Sequence, residues 1–270
     1  MPMMSKSTFF HTNARIAPTL VAAVALLSCW EALVRVLKVA PYILPTPTSI
    51  VGAMTEHAGV LIRNAGVTLF EALAGLLLAL TCGVVAAVAF QLDPRIDEAG
   101  QPLVAGFQSF PKEAIAPLLV VWFGFGLTSK LVLACSIAFF PVFLSTLKGL
   151  KSVPDDIIHT FLALRASRKN ILLKARIPYS FPFLFAGLRV ASTLSIVGAV
   201  IGEFLGSSRG LGHLILVANS QFAVALVFAC LALLAVMGIL LDVLIRELER
   251  KLVPWHESVR GAVDLAAHLK

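Results

Sequence analysis

The feature of this 270-residue chain that most constrains its fold is a succession of apolar segments long enough to cross a membrane. A hydrocarbon core about 30 Å thick needs roughly 20 helical residues. Six runs approach that length: Ala17–Val36, Val67–Phe90, Leu103–Phe125, Leu131–Leu147, Phe183–Leu205 and Phe222–Ile245. Their Leu, Ala and Val show no period-two alternation, which argues against a transmembrane barrel. The sequence therefore predicts an all-α integral membrane protein with about six transmembrane helices.

The basic residues indicate how these spans are oriented. With both termini inside, fifteen Lys and Arg fall on the inner side and five on the outer side, namely Arg35, Lys38, Arg63, Lys130 and Arg209. This distribution is the positive-inside bias, and it explains the net charge of +7 without a nucleic-acid partner. Cleaving the first run as a signal peptide would spoil the bias. We therefore expect one multi-pass domain over residues 1–270, with cytoplasmic segments at 1–16, 148–180 and 246–270.

A basic segment, residues 148–176, connects the fourth and fifth predicted spans. It carries seven Lys and Arg against Asp155 and Asp156. Ser152 is a candidate N-cap, and Pro154 with the two acids favours a helix start. The helix would carry an apolar stripe of Ile157, Ile158, Phe161, Leu162 and Leu164. We expect a second short helix from Ser167, ended by Pro178 and Pro182. A stripe on a cytoplasmic loop predicts a docked partner; the alternative is packing against the chain's own bundle.

Prolines interrupt the third predicted span at Pro102, Pro111 and Pro117. A break at membrane depth is tolerated only where it is buried in protein or lines a cavity. Charged residues lie beside it, and charge near a span is costly enough to suggest function. The candidate translocation-path residues here are Phe110, Lys112 and Glu113. The alternative for Lys112 is snorkelling to the headgroups.

The fifth predicted span combines small residues with a carboxylate. Gly198, Gly202 and Gly206 recur every four residues, which predicts a helix-packing seam within the bundle or between subunits. Glu203 lies beside the seam in an apolar run, so it should face the interior. Glu203 is a further candidate for the translocation path, and the alternative is a structural carboxylate whose hydrogen bonds are satisfied.

The sequence shows no pattern typical of catalysis or metal binding. The four cysteines fall inside predicted spans without CxxC spacing, and the six histidines are scattered. We therefore assign no catalytic residue and no metal ligand. The chain also has no GxxxxGK[ST] motif. Any ATP hydrolysis would have to come from another subunit.

The basic segment resembles the cytoplasmic signature of the permease subunits of bacterial ATP-binding-cassette (ABC) importers. That signature is Glu-Ala-Ala, three residues, Gly, nine residues, then Ile-x-Leu-Pro. His159-Thr160-Phe161 occupies the first positions, Arg165 the glycine position and Ala175-Arg176-Ile177-Pro178 the end. A positive φ at the glycine position would cost a bulky residue roughly 1–2 kcal/mol, so we expect a different turn at Arg165.

Other motifs between Pro41 and Ile245 are similar to the nitrate, sulfonate and taurine branch of this family. They are Leu44-Pro45-Thr46-Pro47, Pro117-Leu118, Trp122-Phe123-Gly124, Ala166-Ser167-Arg168, Ala186-Gly187-Leu188-Arg189 and the run from Gly198 to Phe204. Phe110-Pro111-Lys112 also resembles relatives that carry pyrimidine or vitamin precursors and aromatic acids. The resemblance implies import of a small anionic or heteroaromatic solute.

The resemblance further implies an assembly in the bacterial inner membrane. Two permease copies, expected to form a homodimer, would pair with two cytoplasmic ATPases and a periplasmic or lipid-anchored solute-binding protein. The chain itself would be a transport subunit without enzyme activity or bound cofactor, because ATP and Mg²⁺ would be used by the ATPases. The implied ATPase-coupling residues are Pro154, Asp155, Asp156, Ile157, Ile158, His159, Phe161, Leu162, Leu164, Arg165, Ala166 and Ser167.

Two other classes of function remain open from sequence. A secondary, ion-coupled transporter would also use broken helices and buried charge, but it commonly shows an internal repeat, and none is detectable here. A membrane-embedded enzyme would need a nucleophile, dyad or metal cluster within the spans. Transport that survives ATP depletion would favour the first class, and turnover by the purified chain alone would favour the second.

Overall fold

The computed structural model describes residues 8–254, without the side chains of residues 8–17, 19, 20, 94, 98, 99, 101, 103 and 105. Every regular element in this range is helical. The α-helices are α1 (Thr8–Val36), α2 (Pro47–Glu56), α3 (Ala58–Leu92), α4 (Pro94–Ser109), α5 (Ala116–Phe123), α6 (Leu127–Lys151), α7 (Asp155–Ala163), α8 (Arg168–Ile171), α9 (Ile177–Phe204), α10 (Leu211–Ser220) and α11 (Val224–Leu252). A 3-10 turn, Lys112–Ile115, precedes α5, and a π-helical turn, Leu172–Arg176, joins α8 to α9. The expected all-α fold is confirmed.

Four helices of the described range are long and apolar enough to cross a membrane. They are α3, α6, the continuous helix Arg168–Phe204 and α11. They contain the second, fourth, fifth and sixth predicted spans, the fifth apart from its last residue and the sixth apart from its first two. The first predicted span falls within α1, where many side chains lie outside the described residues. The C-terminal tail from position 255 also lies outside them.

The third predicted span, Leu103–Phe125, is broken as its prolines predicted, but at one of the three prolines only. The chain leaves α4 at Phe110, makes the 3-10 turn and starts again as α5. Pro111 explains the break, because its ring supplies no N–H and forces the preceding residue out of the helical region. Phe110 indeed has φ −79° and ψ 130°. Pro102 lies inside α4 and Pro117 in the first turn of α5, so neither of them breaks the chain.

The core of the bundle is α6, which packs against α3 on one side and α9 on the other. Small residues allow these helices to approach closely. A Cβ added to Gly83 of α3 would lie 2.9 Å from the Val142 side chain, and one added to Gly198 of α9 would lie 2.6 Å from the Ala134 Cα. Helix α11 packs on the other side of α9 and also contacts α2 and α10. This arrangement places α9 between α6 and α11.

Candidate functional site

The basic hairpin, defined here as residues 148–176, begins where α6 ends. Ser152 is the C-cap of α6, and its hydroxyl donates to the Gly149 carbonyl at 2.8 Å, so the expected N-cap role of Ser152 is wrong. Pro154 precedes the first turn of α7 with φ −56°. Asp155 and Asp156 occupy that first turn as expected, where the helix dipole favours negative charge.

Helix α7 stands away from the bundle. None of its residues is buried. Ile157, Ile158 and Phe161 are half-buried, whereas Leu162 is 54% exposed and Leu164, just after the helix, is 77% exposed. The structure therefore leaves much of the predicted apolar stripe uncovered within the described chain.

Arg165 ends the helix in a left-handed conformation, so the expected different turn is wrong. Its φ is +55°. The Ala166 N–H donates to the Phe161 carbonyl and the Arg165 N–H to the Leu162 carbonyl, both at 2.9 Å. These two bonds form a Schellman motif, in which glycine is the usual left-handed residue. The turn therefore has the left-handed residue that a glycine usually supplies, with an arginine in its place.

The second helix of the hairpin starts at the predicted residue but does not end at the predicted prolines. The Ser167 hydroxyl accepts the Asn170 N–H at 3.3 Å, which caps α8. The helix then runs from Arg168 to Phe204 without interruption, so the expectation that Pro178 and Pro182 end it is wrong. Pro178 lies in the first turn of α9, directly after the π turn, where the Ile177 N–H reaches back to the Leu172 carbonyl. This wider turn accommodates a proline that would disturb a regular helix.

The broken helix places its three candidate residues at the edge of the bundle. Phe110 is 49% exposed and Glu113 is exposed. Lys112 is half-buried, and its Nζ lies 4.6 Å from the centroid of the Phe140 ring, a cation–π geometry. Only one side of α5 packs on α6, through Ala116 and Leu119. The break therefore presents aromatic rings and charges on an uncovered face.

Glu203 lies elsewhere, in a closed polar cluster at the far end of α9. Its side chain is fully buried, accepts the Thr68 hydroxyl at 2.6 Å and accepts the Gly212 N–H at 2.5 Å. Thr68 Oγ1 in turn accepts the Leu211 N–H at 2.8 Å, and Asn64 Oδ1 accepts the Gly210 N–H at 2.7 Å. Three side chains therefore satisfy consecutive N–H groups at the start of α10, where the helix dipole also favours a carboxylate.

A buried ion pair completes this cluster, which we call the polar latch: Asn64, Thr68, Glu71, Lys130, Glu203 and the loop 205–212. Lys130 of α6 pairs with Glu71 of α3, and its Nζ donates to the Ser207 hydroxyl at 2.9 Å. Sequence reasoning counted Lys130 as an outer-side cation and missed Glu71. The available signal for Glu71 was a carboxylate inside the apolar run Val67–Phe90.

The structure separates the predicted path residues. Glu203 has its partners in α3 and α10, whereas Lys112 contacts α6 through Phe140. In the glycine seam, an added Cβ at Gly198 or Gly202 would meet Ala134 or Lys130 of α6, which places both glycines inside the bundle. Gly206 lies beyond the end of α9, has φ +143° and faces the Phe125 ring. It belongs to a turn rather than to the helical seam.

A second ion-pair group, missed from sequence, links α9 to α11. Arg189 Nε lies 2.8 Å from Asp242 Oδ1, and a guanidinium nitrogen of Arg246 lies 2.7 Å from Asp242 Oδ2. Within residues 8–254, as far as the structure describes them, no group of three or more His, Cys, Asp or Glu could hold a metal ion.

The comparisons with known proteins agree with this geometry. Residues 79–254 match the family described as "Binding-protein-dependent transport system inner membrane component". A probable ABC transporter permease protein of Haemophilus influenzae is 36% identical over 81% of this chain and 89% of its own length. The riboflavin transport system permease protein RibX of Chloroflexus aurantiacus is 35% identical over 88% of this chain and 90% of its own length. The taurine transport system permease protein TauC of Escherichia coli is 30% identical over 87% of this chain and 88% of its own length.

A solved structure shares the fold. The inward-facing MetNI methionine ABC transporter superposes with a TM-score of 0.63 over 73% of this chain and 97% of that chain, at 18% sequence identity. The matching family, the relatives over most of the chain and the shared helical fold lead to one conclusion. The chain belongs to the inner-membrane permease family of binding-protein-dependent ABC importers.

Proposed function

We propose that this chain forms the translocation path for a small anionic or heteroaromatic solute and is driven by a separate ATPase that grips the basic hairpin. The observation that carries the proposal is the exposed apolar stripe of α7, above all Leu162 and Leu164. Fully burying one such side chain contributes about 1.5–3 kcal/mol, so a groove that covered the stripe would bind the hairpin firmly. ATP and Mg²⁺ would bind to the ATPase and not to this chain.

The proposed assembly contains two copies of the permease as a homodimer, two cytoplasmic ATPases and a periplasmic or lipid-anchored solute-binding protein. An uncovered apolar face supports the pairing of two copies. Phe107, Val121, Trp122 and Phe125, along α4, α5 and the turn after it, are all more than half exposed. With the hairpin in the cytoplasm, the spans α6 and α9 would place their other ends outside, and both termini would lie inside. The second copy would cover the face that carries Phe110, Lys112 and Glu113.

The substrate class rests on the chemistry of that face and on the named relatives. Two of the relatives described above are named for riboflavin, a heteroaromatic compound, and for taurine, a sulfonate. Exposed phenylalanine rings can stack on a flat heterocycle, and Lys112 can neutralise an anionic group. We therefore propose Phe110 and Lys112 as the side chains that meet the solute as it passes the helix break.

The test is co-purification with the ATPase. Phe161→Asp with Leu164→Asp should weaken ATPase binding at least about 30-fold, because two apolar contacts are lost and two charges would be buried. Both substituted residues lie on the hairpin, so the double variant should still insert into the membrane. The matched control is Leu37→Asp with Ile43→Asp, the same chemistry at two exposed apolar residues of the connector between α1 and α2.

If the hairpin variant inserts normally and still co-purifies with the ATPase, the hairpin does not couple the chain to the ATPase. Equal losses in the hairpin and connector variants would indicate a general defect of folding. Uptake that continues after ATP depletion and follows an ion gradient would instead support a secondary transporter.

A further inference from the structure

A cavity of about 310 Å³ lies where the basic hairpin joins the bundle. Ile158 and Leu162 of α7 line one side of it. Arg168 of α8 and Arg176 of the π turn line another, and Gln91 near the end of α3 closes the cavity. The cavity therefore lies directly between the proposed ATPase-docking helix and the span that follows it.

The polar groups of this cavity lack partners. No acidic residue lines it. Neither Arg168 nor Arg176 forms an ion pair with any side chain that the structure describes. Gln91 Oε1 is buried and, within the same part of the chain, accepts no hydrogen bond. Arg168 is exposed and Arg176 is half-buried, so both guanidinium groups are open to an anionic group in the cavity. Gln91 Oε1 is a buried acceptor without a donor, and buried polar atoms are normally satisfied, so the cavity suits a ligand with both an anionic group and a hydroxyl.

The rim of the cavity is apolar and lies at the end of a span. Leu92, the last residue of α3, and Leu162 of α7 both line the cavity and are each 54% exposed. By the charge bias of the sequence this end faces the cytoplasm. Basic pockets between helices on the cytoplasmic side suit the headgroups of anionic lipids, whose acyl chains would lie along the leucines.

We propose that this cavity binds the headgroup of an anionic phospholipid with a free hydroxyl, the phosphate contacting Arg168 and Arg176 and the hydroxyl donating to Gln91 Oε1. A lipid held here connects α7 to the end of α3 and limits the movement of the hairpin relative to the bundle. Anionic lipid would then strengthen the coupling of ATP hydrolysis to transport. The inference rests on the proposed function only for its placement of the hairpin in the cytoplasm.

The test measures lipid retention by native mass spectrometry, with the full chain in detergent and phosphatidylglycerol or phosphatidylcholine as the probe. Wild type should retain phosphatidylglycerol in preference to phosphatidylcholine. Arg168→Gln with Arg176→Gln should reduce that retention by about tenfold. The matched control is Lys169→Gln with Lys174→Gln, which removes the same charge from the same segment at residues that do not line the cavity. It should change retention by no more than about twofold.

Replacing both arginines by lysine guards against a folding defect. Arg168→Lys with Arg176→Lys keeps the charge but loses the planar fork, so retention should fall between wild type and the glutamine pair. Equal losses in Arg168→Gln with Arg176→Gln and in Lys169→Gln with Lys174→Gln would overturn the proposal in favour of diffuse attraction to charge. Competition by inorganic phosphate at the same concentration would overturn the choice of a lipid.

Adding the ATPase separates this inference from the proposed function. If the preference for phosphatidylglycerol disappears when the ATPase binds, the cavity is a protein contact and the lipid proposal fails, while the coupling role stands. If the preference persists but the hairpin does not bind the ATPase, the lipid site stands and the proposed coupling fails.

Discussion

The two ends of the helix Arg168–Phe204 are built in opposite ways. At one end the polar latch buries Glu71 and Glu203 and holds Lys130 half-buried, and each of the three has a partner inside the chain. At the other end the basic hairpin leaves α7 without a buried residue. A buried charge costs several kcal/mol unless it is paired, whereas an exposed leucine costs little. The charged groups of the latch are therefore paired within one copy of the chain, although Glu71 Oε2 accepts no hydrogen bond within the described residues. The hairpin instead leaves an apolar surface on which the proposed ATPase would dock.

The difference separates stability from coupling. Changes in the latch should lower the free energy of unfolding and leave ATPase binding intact in the molecules that fold. Changes in the hairpin should weaken ATPase binding and leave the free energy of unfolding unchanged. Three substitutions test this comparison, from the largest expected effect to the smallest.

Removing one member of the buried ion pair should have the largest effect. Lys130→Met leaves the Glu71 carboxylate buried without its cation and should lower the free energy of unfolding by about 3–5 kcal/mol. The double variant Glu71→Leu with Lys130→Met removes both charges and should recover most of that loss. Thermal unfolding in detergent measures both. A double variant no more stable than Lys130→Met would show that the pair acts through something other than its charges.

The second-largest effect is expected from a substitution of the glycine at the start of α10. Gly210 has φ +107°, and a Cβ there would meet the Glu203 carboxylate. Gly210→Ala should therefore lower the free energy of unfolding by about 2–4 kcal/mol, from backbone strain together with displacement of the carboxylate. Gly124→Ala is the control, since its φ is +77° but nothing lies within 4 Å of the added Cβ.

The control should show the backbone strain alone, about 1–3 kcal/mol. The difference between the two variants then measures how tightly the loop closes over Glu203. Equal destabilisation at both positions would mean that the loop moves aside at little cost, and the latch would be looser than its hydrogen bonds indicate.

The smallest effect is expected at the turn of the hairpin. Arg165→Gly removes the strain of a left-handed arginine but adds freedom to the unfolded chain, so the net change should be a stabilisation of at most about 1 kcal/mol. It should appear as slower amide exchange in the last turn of α7, with global unfolding unchanged. Ala166→Gly, at a residue without positive φ, should speed that exchange. Faster exchange in Arg165→Gly would show that the arginine side chain itself holds the turn.

Sequence alone predicted the elements whose cause is local. Membrane-length apolar runs predicted α3, α6, α9 and α11, and Ser167 predicted the start of α8. Arg165 occupies the glycine position of the family signature, and that position indicated the left-handed turn correctly. The arginine side chain argued, wrongly, for a different turn. Local steric preference argued against a left-handed arginine, but the Schellman hydrogen bonds impose that conformation.

The latch could not be predicted because its partners are distant in sequence. Glu203 and Thr68 are 135 residues apart, and Lys130 and Glu71 are 59 apart. An apolar run with one carboxylate shows that a partner is needed but not which one. The continuity of α9 through Pro178 was also missed, because a π turn has no sequence signal as plain as a proline.

The uninterrupted helix from Arg168 to Phe204 has a mechanical consequence. Its 37 residues span about 55 Å at 1.5 Å per residue, with α7 attached at one tip and the Glu203 carboxylate at the other. The helix continues through the π turn, Pro178 and Pro182 without a non-helical residue, so a tilt at one tip can be carried to the other. If the proposed ATPase docks on α7, a displacement of a few ångströms at the hairpin would therefore reach the N-terminus of α10 across the full thickness of the membrane.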